Sequence, residues 1–562
     1  MAPPAFDQVA RLPAAGDNVA IATRRLEAGT QVQWNGAELR LDHTVMEGHR
    51  FAAAPVARGE TLRSWGLPFG VALADIAPGA YVCNRGMLEA LAGRRLDFSL
   101  PAAPNFEDRT QTYRLDPATF RPGTQVARHQ GSLTFTGYDR GRRGVGTRNF
   151  LVVLGTTSRT AALARLLAAR LQAAAAAHAH VDGVVAVAHT EGGSRQRPNN
   201  EAFLLRALAG FAVHPNVAGV LALDYGGEAV PNRRLRAFLE EGGYPLEEVR
   251  HDFVSIDGDL EAALARGEGI LRAWLPAAEA VRRTACSVEH LKVALQCGGS
   301  DAFSGVSGNP LAAWVAREVI RWGGSANLAE TDELIGAEPY VLANVRDQDT
   351  AQRFLDTVAR FVERVGWHGV TAEGNPSGGN KYRGLYNIAL KSIGAAMKRH
   401  PEVRLDQVIG YGEPMVAPGY YFMDSPGNDL ESIAGQVAAG CNLIFFVTGN
   451  GSVTNFPFVP TIKILTTTGR FELLSRDMDV NAGQFLDGTS MEELGRRTFE
   501  LALAVAGGQQ TRGEAAGHSQ VSIWRDWPQS GPEALESLRR EPSAAGRPVA
   551  LPAAAAPPRR FV

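Results

Sequence analysis

From Gly137 onward the chain alternates apolar runs of strand length with helix-like runs, and that alternation leaves few folds open. Residues 149–154 form an apolar strand-like run and residues 161–177 an alanine-rich helical one. A strand over 183–188, a helix over 200–211 and a strand over 217–223 follow, then a helical stretch over 250–285. Strands that alternate with helices predict a parallel sheet covered by crossover helices. A second series begins at Leu291, where Leu291-Lys292-Val293-Ala294-Leu295 reads as a buried strand. Its further candidates are 407–411 and the all-apolar 443–447.

The stretch before Gly137 is different. Residues 17–90 hold short strand-like runs broken by Ala28-Gly29, Asn35-Gly36, Arg58-Gly59 and Pro78-Gly79, the pattern of a small all-β unit. Asn35-Gly36 predicts a type I′ hairpin turn. Residues 93–130 carry several prolines without periodicity and read as a linker. The tail after about Asp526 is rich in proline and alanine and is expected to lack a packed structure. A length of 562 residues calls for two to four domains.

Composition excludes several functions. A net charge of −2 gives no reason to expect nucleic acid or an anionic membrane as partner. No apolar run approaches the roughly 18 residues of a membrane span, and the N-terminus lacks the pattern of a signal peptide. Cys83, Cys286, Cys297 and Cys441 have no CxxC spacing, which fits a reducing cytoplasm better than a disulfide scaffold or zinc ribbon. Lysine occurs only at Lys292, Lys381, Lys391, Lys398 and Lys463, and the rest of the 57 basic residues are arginine. In a chain that uses arginine for nearly every positive charge, the few lysines draw attention, because lysine has a tunable pKa and arginine does not.

Polar, glycine-flanked clusters mark the strand ends. Gln296-Cys297-Gly298-Gly299-Ser300-Asp301 turns sharply out of the Leu291 strand into a helical pattern. It places Cys297, Ser300 and Asp301 where open α/β sheets bind ligands, or leaves Ser300 or Asp301 merely to cap the helix. His189-Thr190-Glu191-Gly192-Gly193 follows the 183–188 strand and offers acid–base groups. The loop Glu373–Lys381, a surface loop or an anion cradle, is followed by a helix with Lys391 and Lys398. Tyr411-Gly412-Glu413, Met423-Asp424-Ser425 and Thr448-Gly449-Asn450 end other strands. Carboxylates, imidazole and thiolate together make a candidate divalent-metal site whose softness suits iron better than magnesium. No GxxxxGK[ST] and no GxSxG is present, against P-loop and α/β-hydrolase chemistry.

In this order, Gly144-Val145-Gly146-Thr147-Arg148-Asn149, the His189 cluster, CGGSDAFSG, Glu330-Thr331-Asp332-Glu333, NPSGGNKYRGL, GYYFMDSPG, VTGNG and DMDVNAG resemble the altronate/galactarate dehydratase family across most of residues 135–525. DNVAIA, EAGT, EGHR and APGAYV resemble its N-terminal β-clip module. Val82-Cys83-Asn84-Arg85 stands where relatives usually carry His-x-His-Asn, so this domain is expected to cover the site and supply no metal ligand. The resemblance implies an α/β protein in three parts: a small all-β β-clip domain (1–95), then after a linker (96–134) a dimerising α/β middle domain (135–285) and a Rossmann-like catalytic domain with a mostly parallel sheet (286–526), with a tail over 527–562.

It further implies a cytoplasmic homodimer that dehydrates a sugar acid, aldonate or aldarate, to a 2-keto-3-deoxy acid. The expected cofactor is a divalent metal, Fe²⁺ first, Mn²⁺ or Mg²⁺ as alternatives. Two other functions stay open: elimination of sulfite from a hydroxy sulfonate, as in related sulfolactate sulfo-lyases, and sugar-acid binding without catalysis. Lys391, His189 and Asp301 are the expected catalytic residues, with Lys391 or His189 as acid and base. Ser300, Asn380, Lys381, Ser392, Thr448 and Asn450 are expected to bind substrate. Cys297, Glu413 and Asp424 are the expected metal ligands.

Overall fold

A computed structural model describes residues 3–110 and 112–525. The tail over 527–562, together with Asp526, lies outside the described residues. The N-terminal unit is all-β, built from short strands such as Val19–Ala22, Gln31–Trp34 and Leu67–Ala72. Trp34 pairs with Ala37 across Asn35 and Gly36, whose φ angles of 48° and 77° make the two-residue turn the dipeptide predicts. The stretch expected as a linker contributes to this unit, since Phe106–Asp108 adds a strand to Leu67–Ala72. The ring of Phe106 lies edge-on to that of Phe69.

The middle α/β unit has four parallel strands in the order Gly183–Val187, Phe150–Gly155, Val217–Asp224, Arg250–Ser255. The last of these corrects the helical reading of 250–285: Arg250–Ser255 is an edge strand, and the helix Leu260–Ala280 begins only after it. Its sequence, Arg-His-Asp-Phe-Val-Ser, is too polar to signal a buried strand. At this edge position one side of its backbone pairs and the rest faces outward. Thr134–Asp139 and Thr284–Ser287, from the two ends of the unit, pair antiparallel and close it.

The C-terminal unit holds seven parallel strands. Their order is Leu405–Ile409, Gly419–Met423, Ser325–Leu328, Lys292–Gly298, Leu443–Thr448, Thr461–Leu465, Val480–Asn481. The first strand in sequence, Lys292–Gly298, is central, and later strands are laid down on both sides of it. That makes its carboxyl end the switch point at which such sheets open a crevice. The sheet is buried on both faces, as its Val, Ile and Phe content requires.

The units share cores. The helix Glu201–Val213 packs so closely on Asp429–Ala438 that a Cβ on Gly210 would lie 2.3 Å from the Ala438 carbonyl oxygen. Leu385, Tyr386, Ala389 and Leu390 of the C-terminal unit complete the core of the N-terminal one. Among the described residues no helix is long and apolar enough to cross a membrane.

Candidate active site

The carboxyl ends of the central strands converge on a buried cluster of acids and ammoniums. Gly298 is where the strand meets it: a Cβ there would lie 2.3 Å from Asp429 Oδ2, so only glycine lets that carboxylate rest on the strand end. Glu330 leaves its strand in the left-handed region, φ 71° and ψ 74°, which a non-glycine residue adopts at a cost of about 1–3 kcal/mol. Its N–H donates to Ser425 Oγ at 2.9 Å. The twist aims its carboxylate inward, where it accepts from Gln296 Nε2 and Lys398 Nζ, and from the Cys297 N–H at 3.3 Å. One turn on, Glu333 Oε1 accepts from Lys391 Nζ at 2.6 Å, and Asn375 Oδ1 accepts from the same ammonium at 2.8 Å. Asp332 accepts from the Gly427 N–H and from Asn375 Nδ2. The Lys398–Glu330 pair is fully buried. Lys391 is 8% exposed, so its end of the cluster faces the loop Glu373–Lys381 and solvent.

Four carboxyls, Glu330, Asp332, Glu333 and Asp429, thus surround two ammoniums. Fully ionised, the cluster is two positive charges short. The titrations carry that shortage. Burial, then the Glu333 charge, pushes Asp429 up to about 6 and raises Asp332. Burial, then Glu333, also raises Glu330 against the pull of Lys398. Burial works against the Lys391 ammonium, but the surrounding carboxylates, Glu333 first and then Asp332 and Glu330, together offset it and hold the pKa above the ordinary lysine value. Burial raises the Cys297 thiol to about 11, so it is a protonated thiol and not a ready nucleophile. Two buried oxygens of the cluster, Glu333 Oε2 and Gln296 Oε1, have no hydrogen-bond partner within the protein, and a buried polar atom left without one is costly.

The structure brings some expected residues together and separates others. Lys391 and Cys297 belong to the cluster, and Ser392 is buried on the same helix as Lys391. His189 does not: it ends a strand of the middle sheet, donates from Nε2 to the Gly155 carbonyl at 2.9 Å and accepts the Glu191 N–H at 3.2 Å. Both ring nitrogens are spent, and burial lowers its pKa to about 4. It is a satisfied structural histidine and no partner of Lys391 in acid–base work. The expected metal set does not assemble either. The strands ending at Cys297 and at Asp424 are separated by Ser325–Leu328, two strand spacings or roughly 10 Å. Glu413 follows the next strand out, is exposed and accepts the Gly410 N–H at 2.8 Å. Asp424 accepts from Thr331 Oγ1 at 2.7 Å and pairs with Arg364 at 3.2 Å. Among the described residues no three His, Cys, Asp or Glu side chains are spaced to hold an ion.

The remaining expected residues shape the turns. Ser300 Oγ shares a hydrogen bond with Cys297 Sγ at 3.1 Å, and Asn380 Nδ2 straps the loop down by donating to the Ser300 carbonyl at 2.8 Å. Thr448 Oγ1 accepts two backbone N–H groups of the turn after its strand and donates to Asn450 Oδ1. Lys381 points toward Gly86 of the N-terminal unit, away from the cluster. Asp301 caps a short π-helix, Oδ1 accepting from the N–H groups of Phe303 and Ser304, while Oδ2 accepts from Thr466 Oγ1 at 2.9 Å. Its other partner is Arg470 at 3.5 Å. That pair opens onto a cleft of about 290 Å³ between the N- and C-terminal units, which Glu47, Arg25 and Arg383 also line. Gln296, Glu330, Asp332, Glu333, Lys398 and Asp429 complete the cluster without having been singled out by role. The scarcity of lysine was the signal that reached two of its members.

Paired acids and ammoniums at the carboxyl ends of the central strands of a parallel sheet are the equipment of an enzyme that moves protons. Comparison with known proteins narrows the class. Residues 12–88 match the altronate/galactarate dehydratase SAF domain, 137–279 the second domain of D-galactarate dehydratase/altronate hydrolase, and 288–529 the D-galactarate/altronate dehydratase C-terminal domain. The altronate dehydratase of Escherichia coli K12 is 30% identical over 91% of this chain and 97% of its own length. That of Bacillus subtilis 168 is 28% identical over 91% and 97%. The (2R)-sulfolactate sulfo-lyase subunit beta of Chromohalobacter salexigens is 29% identical over 70% and 97%. The chain belongs to the altronate/galactarate dehydratase family of lyases.

Proposed function

We propose that this enzyme dehydrates a sugar acid to a 2-keto-3-deoxy acid at the Glu333–Lys391 end of the cluster. The single observation that carries this is a buried ammonium, held at 2.6 Å by Glu333, beside a carboxylate oxygen that nothing uses. A β-hydroxyl leaves as water when an acid protonates it, and the Lys391 ammonium is an acid held in place for that step. The α-proton passes to a carboxylate of the same cluster. Asn375 and Glu333 orient Lys391 Nζ, and burial keeps bulk water from competing.

A divalent cation fits the remaining features. The cluster lacks two positive charges, and Glu333 Oε2, Gln296 Oε1 and the Asp429 carboxylate are oxygen donors within it. Such a cation, when bound, supplies a Lewis acid that stabilises negative charge on the substrate carboxylate as the α-proton leaves. An oxygen set suits Mg²⁺ or Mn²⁺ as well as Fe²⁺. Dehydration is favoured over sulfite elimination because the match to altronate dehydratase spans 91% of the chain, the N-terminal unit included, against 70% for the sulfo-lyase subunit. We further propose a homodimer formed by the middle unit, whose helix Ala161–Arg170 leaves Leu166 exposed. A monomeric mass in sedimentation at micromolar concentration would refute that assembly.

The test of function is an anaerobic panel of aldonates, aldarates and hydroxy sulfonates with Mg²⁺, Mn²⁺ or Fe²⁺, read by keto-acid and sulfite release. Keto-acid formation from a sugar acid, dependent on added metal, is the expected result. Sulfite release alone would establish the other elimination.

A further inference from the structure

The middle and C-terminal units enclose a second cleft, of about 340 Å³, lined by none of the cluster's own side chains. Its lining is aromatic: Phe203 and Trp524 stack with centroids 4.6 Å apart and planes 10° from parallel, Phe361 lies against Trp524 with centroids 6.1 Å apart, and Trp367 also lines the cleft. Arg364 lies over both rings of the stack, 5.0 Å from Trp524 and 5.6 Å from Phe203, while its guanidinium pairs with Asp424 at 3.2 Å. Asn200, 3% exposed, faces the same cleft. Its Nδ2 donates to Glu191 Oε2 at 3.0 Å and to the Trp524 carbonyl at 2.6 Å. Both partners are acceptors, so the amide orientation is fixed, and its Oδ1 is left buried with no donor.

We infer that this cleft is a binding site for a planar aromatic anion that carries an N–H or O–H donor. Each part of that description answers one feature. The aromatic lining of Phe203, Phe361, Trp367 and Trp524 recognises a ring, because aromatic groups pack edge-on or offset against Trp and Phe. Arg364 is an arginine on an aromatic platform, a combination that holds a carboxylate or sulfonate against a ring. Asn200 Oδ1 supplies the acceptor that a ligand donor would satisfy. The volume matches one or two fused or linked rings, at the small end of ligand pockets. An open-chain sugar acid has the charge and the donors but no flat face, so the site is separate from that of the proposed substrate. The cleft wall includes Pro426, two residues past Asp424, and a ligand anion would compete with Asp424 for Arg364.

The test uses the full-length protein and 8-anilinonaphthalene-1-sulfonate, a planar anion with a bridging N–H. Titration is expected to give saturable one-to-one binding with energy transfer from tryptophan, displaced by indole-3-acetate. Phe203→Ala and Asn200→Leu should each weaken that binding at least tenfold while the basal turnover of the enzyme is unchanged. If Asn200→Leu fails to fold, as judged by its thermal transition, Phe203→Ala decides alone. Non-saturable binding, or saturable binding that the folded variants leave intact, overturns the proposal.

Discussion

Lys391 shows how much one side chain's surroundings decide. A lysine on a helix is ordinarily a solvated charge. Here it is enclosed, held at 2.6 Å by Glu333, and kept protonated by that carboxylate in spite of burial. It is therefore protonated and not available to take a proton as a base. Lys391→Ala should lower kcat/KM by about 10²–10⁴-fold, the usual worth of a positioned acid. Removing one partner of a buried pair also leaves Glu333 uncompensated, so the same variant should lose roughly 3–5 kcal/mol in urea unfolding. Lys391→Arg keeps the charge but gives up a proton far less readily, and should restore most of the stability and little of the rate. An arginine variant with the kinetics of the parent enzyme would remove Lys391 from the chemistry. His189 makes the contrast: with both ring nitrogens occupied by backbone, His189→Ala should cost stability and leave KM as it is.

At the level of elements, the site depends on turns that let carboxylates lie against backbone. Gly298 and Gly449 each sit where a Cβ would meet an acid, Asp429 at 2.3 Å and Asp301 at 2.3 Å. Gly298→Ala should displace Asp429 from the cluster and depress kcat at least tenfold. The accompanying loss of stability should be in the 1–3 kcal/mol range of an overpacked core. Gly449→Ala should instead disturb Asp301 and, through it, Arg470, raising KM more than it lowers kcat. Equal kinetics in the two variants would mean that the cluster and the Asp301 cleft are one site. Steady-state kinetics with a circular-dichroism melt separates these outcomes.

For the whole molecule, the three units stand or fall together. The core of the N-terminal unit is closed by Leu385, Tyr386, Ala389 and Leu390, and the helix Ile388–Ala396 that carries two of these also carries Lys391. Deleting residues 1–95 should therefore lower thermal stability and turnover alike. A truncated protein with the parental melting temperature would contradict the shared core. Acid should loosen the same joints. Burial lowers His49, between the N- and C-terminal units, to about 4, and His214, between the middle and C-terminal ones, to about 3. In the unfolded chain a histidine titrates near 6.5. Below that pH the unfolded state takes up protons that the folded state refuses, so stability is fully present above about 6.5 and falls as pH drops toward 4. Melting temperature measured from pH 7 to pH 4.5 should show this decline, and His49→Gln should flatten part of it.

The sequence by itself determined the periodic parts of this protein. Apolar runs of strand length alternating with helices dictated two parallel sheets, because such strands can bury both faces only between layers of helix. Asn35-Gly36 dictated its hairpin, because few other dipeptides take two positive φ angles without strain. The edge strand Arg250–Ser255 escaped notice, since pairing on one side leaves no hydrophobic pattern to see. The site was legible only in pieces. Cys297 was visible as a polar residue at a strand end and Lys391 as a rare lysine in an arginine-rich chain. What only the tertiary structure decided was which pieces meet. Strand order put a third strand between Cys297 and Asp424, and the left-handed turn at Glu330 aimed carboxylates at Lys398 and Lys391. Strand order and a single residue's φ angle are set by the packing of the whole sheet, and no local pattern in the chain encodes them.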